Sequence, residues 1–184
     1  MSNNTDFTKI HSTLNSILGQ ADLSDVTAES TGFSDLPDGY YLCEVEEAKL
    51  TESKSSHQPM VAITLKVSED GIDASVDDNG NVSSEAIPKT KNRKIFKYYV
   101  LKDETSVRRF VTDMLKFEGD VAGESLLPKE AFTTSETIED ALDILTGYRL
   151  YIQVSTTVKE DDNSKSVWYN FITWKRAAML ELPI

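Results

Sequence analysis

The chain has 184 residues, 39% of them hydrophobic, and carries 31 Asp and Glu against 19 Lys and Arg, for a formal charge of -12. That length suits one domain with appendages, and the modest apolar share points to some of it being loop or arm. No apolar run nears the ~20 residues of a membrane helix, no basic-then-apolar leader opens the chain, and one cysteine, Cys43, allows neither an internal disulfide nor a thiolate zinc site, so a soluble, intracellular, non-secreted protein is expected.

In chain order, Phe7, Ile10, Leu14, Ile17 and Leu18 recur at helical spacing, with capping groups at Asn4 to Asp6 and Gly19 to end the helix. Residues 20–34 have no period and read as a linker. Residues 1–34 thus form an arm whose helix must dock on its own domain, on a second copy or on a partner protein, because a short helix is marginal alone. The domain spans 35–184. It begins with the turn signal Leu36-Pro37-Asp38-Gly39, leading into a strand over 40–50. A polar loop over 51–58 precedes a second strand over 59–67, in which Val61, Ile63, Leu65 and Val67 point one way and Ala62, Thr64 and Lys66 the other. Residues 69–92, rich in Asp, Ser, Asn and Gly, form a long insertion, either a mobile loop or a ribbon that orders on contact.

A third strand covers 93–101, and a helix over 106–117 presents Val107, Phe110, Val111, Met114 and Leu115 on one face. A second helix, over 136–145, buries Ile138, Ala141, Leu142 and Leu145. The fourth strand, 148–158, turns Leu150, Ile152, Val154 and Val158 inward and Arg149, Tyr151 and Gln153 outward. Residues 160–163 close a hairpin into the fifth strand, 167–176, and 177–184 are a short tail. The class is mainly β. Five strands with helices between the third and fourth is the order of an oligonucleotide-binding (OB) barrel, although a sandwich satisfies the same inventory.

From Lys89 to Tyr99, five cations (Lys89, Lys91, Arg93, Lys94 and Lys97) are interleaved with Ile95, Phe96, Tyr98 and Tyr99, and no carboxylate interrupts them. Positive charge to hold phosphate and flat rings to stack bases are what a single-strand groove needs; an edge strand guarded by lysines against aggregation has the same look. The candidate nucleic-acid contacts are Lys91, Arg93, Lys94 and Lys97 for phosphates, with Phe96, Tyr98, Tyr151, Trp168 and Trp174 as exposed rings. The fifth strand leaves two registers open, because Val167, Tyr169, Phe171 and Thr173 compete with Trp168, Ile172 and Trp174 for the interior. His57 and Lys54 lie in the loop after the first strand, where barrels of this class touch ligand, and are candidates for a phosphate or base contact, while Cys43 reads as a buried apolar residue.

No constellation for catalysis is visible: there is no phosphate-binding glycine loop, no nucleophile elbow and no histidine pair. Asp38 and Glu47 echo metal-dependent nucleases, yet one continuous strand would hold them roughly 30 Å apart. The protein is expected to be no enzyme and to need no cofactor.

Leu36-Pro37-Asp38-Gly39-Tyr40, Pro59-Met60 opening an alternating strand, Arg93-Lys94-Ile95-Phe96 with Val100-Leu101, and Leu145-Thr146-Gly147 after the helix together resemble a family of small bacteriophage proteins regarded as single-stranded-DNA-binding proteins of the OB fold. The likeness covers roughly residues 36–176. It implies a sequence-tolerant DNA-binding protein of phage replication or recombination, working in the cytoplasm of an infected bacterium. The insertion at 69–92 and the N-terminal helix depart from that pattern. The acidic C-terminal tip that many single-strand binders use for recruitment is missing, which makes the helix over 7–18 a candidate contact for a second copy or a replication or recombination protein. The rival reading is a protein-interaction or virion structural component that uses the barrel as a scaffold.

Overall fold

The computed structural model describes residues 35–119, 123–158 and 164–183. The expected helix over 7–18 and the turn at 160–163 lie outside the described residues. What is described is mainly β: seven antiparallel strands in one open sheet, with three α-helices. The strands are β1 (Gly39–Glu52), β2 (Pro59–Val67), β3 (Gly71–Val76), β4 (Val82–Ile87), β5 (Lys94–Val100), β6 (Arg149–Val158) and β7 (Lys165–Ile172). Between β5 and β6 lie α1 (Glu104–Met114), a 3-10 turn (Lys129–Phe132) and α2 (Ser135–Leu145), and α3 (Trp174–Met179) follows β7. No helix among the described residues is long and apolar enough to cross a membrane.

The sheet is organised by β1. Its second half pairs with β2 from Cys43 to Glu52, while its first half pairs with β6 on the opposite edge from Gly39 to Glu44. β5 then adds to β2, and β7 adds to β6. The ladder stays open between β5 and β7, so a closed five-stranded barrel is not what forms. Glu46 is a bulge, because the register with β2 jumps between Val45 and Glu47. One extra residue reverses which side chains face inward: Tyr41, Cys43 and Val45 are buried before it, Ala48 after it.

Residues 69–92, expected as a mobile loop or a ribbon that orders on contact, carry a hairpin of β3 and β4 with six paired positions. Its polar composition hid the strand pattern, since both faces are largely exposed and no apolar alternation is needed. A clamp at its base ties it down: the Asp70 carboxylate accepts the backbone N–H groups of Thr90 (2.9 Å) and Lys91 (3.0 Å), and the Thr90 hydroxyl accepts the Gly71 N–H (2.7 Å). Those two amides hold the Asp70 carboxyl below its ordinary pKa. Gly71 is required because a Cβ there would sit 2.2 Å from the Tyr41 ring.

Two apolar clusters lie on either side of β1. The inner one joins Tyr41, Val45, Val61, Ile63, Leu65, Ile95, Phe110, Met114, Phe117, Leu142, Leu145, Ile152 and Phe171. The outer one joins Tyr40, Leu42, Ala74 and Tyr151 to Ala177, Leu180 and Leu182. The unbroken apolar run of Tyr40 to Cys43 follows, because this part of β1 is covered on both faces. Residues 173–176 are therefore not strand: Thr173 caps α3, and the expected short tail is the lid of the outer cluster. Cys43 is fully buried, and burial pushes its thiol up to about 12. Val158, expected inside, is 55% exposed at the end of β6.

Candidate nucleic-acid interface

A groove of about 810 Å³ lies at the open seam between β5 and β7 and is lined by residues of β5, β7 and α1. β5 alternates cleanly. Ile95 turns into the core, Tyr99 packs its ring against Phe110 at 5.4 Å, and Phe96 and Tyr98 on the other face are 53% and 59% exposed. From the far bank, β7 settles its register with Val167, Tyr169 and Phe171 inward and Trp168 and Asn170 outward. Trp168 is 55% exposed and its indole N–H donates to the Thr157 hydroxyl at 3.0 Å. Three accessible rings therefore border one channel.

The cations are arranged differently from expectation. Lys97 lies on the core-facing side of β5, with only 16% of its side chain exposed. Its Nζ donates to the Tyr169 carbonyl on β7, lies 3.3 Å from Asp113 Oδ2, and sits 4.8 Å from the centre of the Phe171 ring. It bridges the two free strand edges beneath the groove. A lysine that was expected to face phosphate is instead a tie across the seam, possible because a carboxylate, a carbonyl and a ring face replace its water. Burial pulls its pKa below the ordinary lysine value, against the support of Asp113.

Asp113 is the hub of this tie. Its Oδ2 accepts the Tyr99 hydroxyl at 2.7 Å and its Oδ1 accepts Lys116 Nζ at 2.7 Å. Burial works to raise its pKa, but the Lys116 hydrogen bond, the charge of Lys97 and the Tyr99 hydroxyl outweigh it and leave the carboxyl below its ordinary value. Burial, with Asp113 adding to it, raises the pKa of Tyr99.

Lys94 Nζ is 2.7 Å from a Glu46 carboxylate oxygen, so the bulge in β1 supplies its counterion. Lys91 is exposed in the turn before β5, and Arg93 is half-buried close enough to Tyr41 and Tyr169 to act on their hydroxyls. None of Lys91, Arg93 and Lys94 lines the groove. Two expected rings are also elsewhere. Tyr151 does turn away from the inner core, but it is 2% exposed, because the lid covers that end of the sheet; its hydroxyl donates to the Pro183 carbonyl at 2.6 Å. Trp174 opens α3 and packs edge-on against Tyr151, with ring centres 5.9 Å apart. His57 is exposed in its loop beside Glu52.

The groove gathers Phe96, Lys97, Tyr98 and Trp168 from the expected set and adds residues the sequence reading passed over. Arg108 and Arg109 of α1 line it, along with Thr105 and Thr112. Both arginines are exposed, and Arg108 pairs with Glu104 one turn earlier at 2.7 Å. The adjacent pair was visible as a signal on the polar face of the helix. It was masked because residues 101–150 hold eleven carboxylates against six cations. The arrangement brings flat apolar surfaces and guanidinium donors to one groove, the pairing needed to hold bases and phosphates at once. No family model matches the sequence, and no curated protein matches it.

Proposed function

We propose that this chain is a sequence-tolerant single-stranded-DNA-binding protein of phage replication or recombination, which holds the strand in the groove between β5 and β7. The observation that carries the reading is the convergence of Phe96, Tyr98 and Trp168 with Arg108 and Arg109 on a single channel. Exposed aromatics cost solubility unless something uses them, and base stacking on such rings is worth about 1–3 kcal/mol each. The connectivity supports it as well. Setting aside the β3–β4 hairpin, the order of pairing β5-β2-β1-β6-β7 is that of an OB barrel left open at one seam, with α1 and α2 in the connection where that fold carries its helix.

Because Lys91, Arg93 and Lys94 do not line the groove and Lys97 is buried against Asp113, the phosphate contacts fall to the two arginines that do line it. Neutralising two phosphates on a single strand gives a logarithmic salt slope of about -1.4. The test is fluorescence titration with oligo(dT) at ~50 and ~300 mM salt. Quenching is expected at the lower salt, weaker at the higher, and absent in Trp168→Phe, which retains only the packed Trp174. Absence of both quenching and a mobility shift at micromolar protein overturns the reading.

A further inference from the structure

A second groove, of about 350 Å³, lies away from the first, between the segment Leu126–Ala131 and one side of α2. Its floor is apolar: Leu126, Leu127, Pro128, Ala131, Ala141 and Ile144. On α2 the residues facing it are Thr137, Asp140, Ala141 and Ile144, an i, i+3, i+4, i+7 stripe. Ala141 on this stripe is buried with Leu142 and Leu145, whereas Ile144 is 56% exposed. From Thr137 to Ile144 the helix rises about 10 Å, two turns, which is room for two or three anchors of a docked helix.

The rim is acidic. Glu130 stands on one wall and Asp140 on the other, and Glu136, Glu139 and Asp143 are exposed along α2. Lys129 is exposed beside Glu130, and from there to Tyr148 the chain has no further lysine or arginine. The last turn of α2 carries Asp143 and no basic residue, so the negative end of the helix dipole is met by further negative charge. Charge of that sign around an apolar floor fits an incoming cation-flanked helix and repels a nucleic acid.

We propose that this groove docks a cationic amphipathic helix of a partner protein, with apolar anchors on Leu126, Pro128 and Ile144 and Lys or Arg flanks beside Glu130, Asp140 and Asp143. The proposal stands apart from DNA binding and uses no residue of the β5–β7 groove.

The probe is a labelled peptide of about 15 residues, built of Leu and Lys with all leucines on one helical face, and followed by fluorescence anisotropy. Micromolar binding is expected. Ile144→Ser should weaken it about fivefold or more, and Glu130→Gln with Asp140→Asn by a similar factor, with thermal unfolding of both variants unchanged. A scrambled peptide of the same composition should bind less well. Equal affinity of wild type and Ile144→Ser, or of ordered and scrambled peptides, would reduce the effect to charge adsorption and overturn the proposal. So would a solution mass showing a dimer that Ile144→Ser dissociates, since the occupant would then be a second copy.

Discussion

The β6–β7 hairpin presents one continuous outer face with two contrasting ends. At one end Tyr151 lies opposite Ile172, and both are covered by the lid of Ala177, Leu180 and Leu182. At the other, Ser155 lies opposite Trp168 and nothing among the described residues covers the indole. The two rings share a strand pair and a sheet face, yet one is 2% exposed and the other 55%. Facing away from the inner core thus does not make an aromatic available, since the chain had a second layer to spend on one end only. The sealed end should carry stability and the bare end binding.

Tyr151→Ala gives the largest expected effect. It removes a buried ring from the outer cluster and leaves the Pro183 carbonyl without its hydroxyl donor, so about 3–5 kcal/mol of unfolding free energy should be lost in urea titration. Trp168→Ala should stay within about 0.5 kcal/mol of wild type in the same experiment. Similar losses for both would erase the contrast between the two ends.

The tie beneath the groove comes next. Asp113→Ala leaves Lys97 without its carboxylate and Tyr99 without its acceptor. Truncating one partner of a buried ion pair costs about 3–5 kcal/mol, and about 2–3 is expected here because both side chains keep some solvent contact. The pH dependence has a definite sign. The folded pKa of Asp113 is depressed from 3.8, so its contribution is fully present above the unfolded value and is lost as pH falls through the lower folded one. Stability measured from neutral pH downward should hold until about pH 4 and then decline, with a shallower decline in Asp113→Asn. An identical acid limb in that variant would remove Asp113 from the account.

The alternation of β2 and the amphipathic faces of α1 and α2 were legible in the sequence because each has one buried face and a regular period. What failed to show had two covered faces or little cover on either. Tyr40 to Cys43 is sandwiched, which obscures any alternation, and β3–β4 is mostly exposed beyond Ile72, Ala74 and Ile87, which makes strands resemble loop. Lys97 defeated the rule that lysine faces water because its partners come from 16 and 72 residues away, Asp113 and Tyr169, beyond any local pattern. Arg108 and Arg109 were lost to averaging, since a window of charge reports a sum whereas a groove responds to two guanidinium groups on one helical face.

At the bare end, Trp168→Ala should weaken oligo(dT) binding by about 1–3 kcal/mol, roughly 5- to 150-fold, while Tyr151→Phe, which keeps the buried ring, should leave it unchanged. The finest distinction concerns charge. If rings supply the affinity and arginines only hold the backbone, Arg108→Gln with Arg109→Gln should flatten the salt dependence by about 1.4 in logarithmic slope, with a smaller loss at high salt than Trp168→Ala causes. Lys94→Gln separates position from charge: Lys94 neighbours the groove in sequence but is paired with Glu46 outside it, so its removal should alter the slope by less than about 0.3, a small fraction of one phosphate contact. A full phosphate's worth of slope lost at Lys94 would mean that the strand follows the outer face of β5 and β2 and leaves the seam empty.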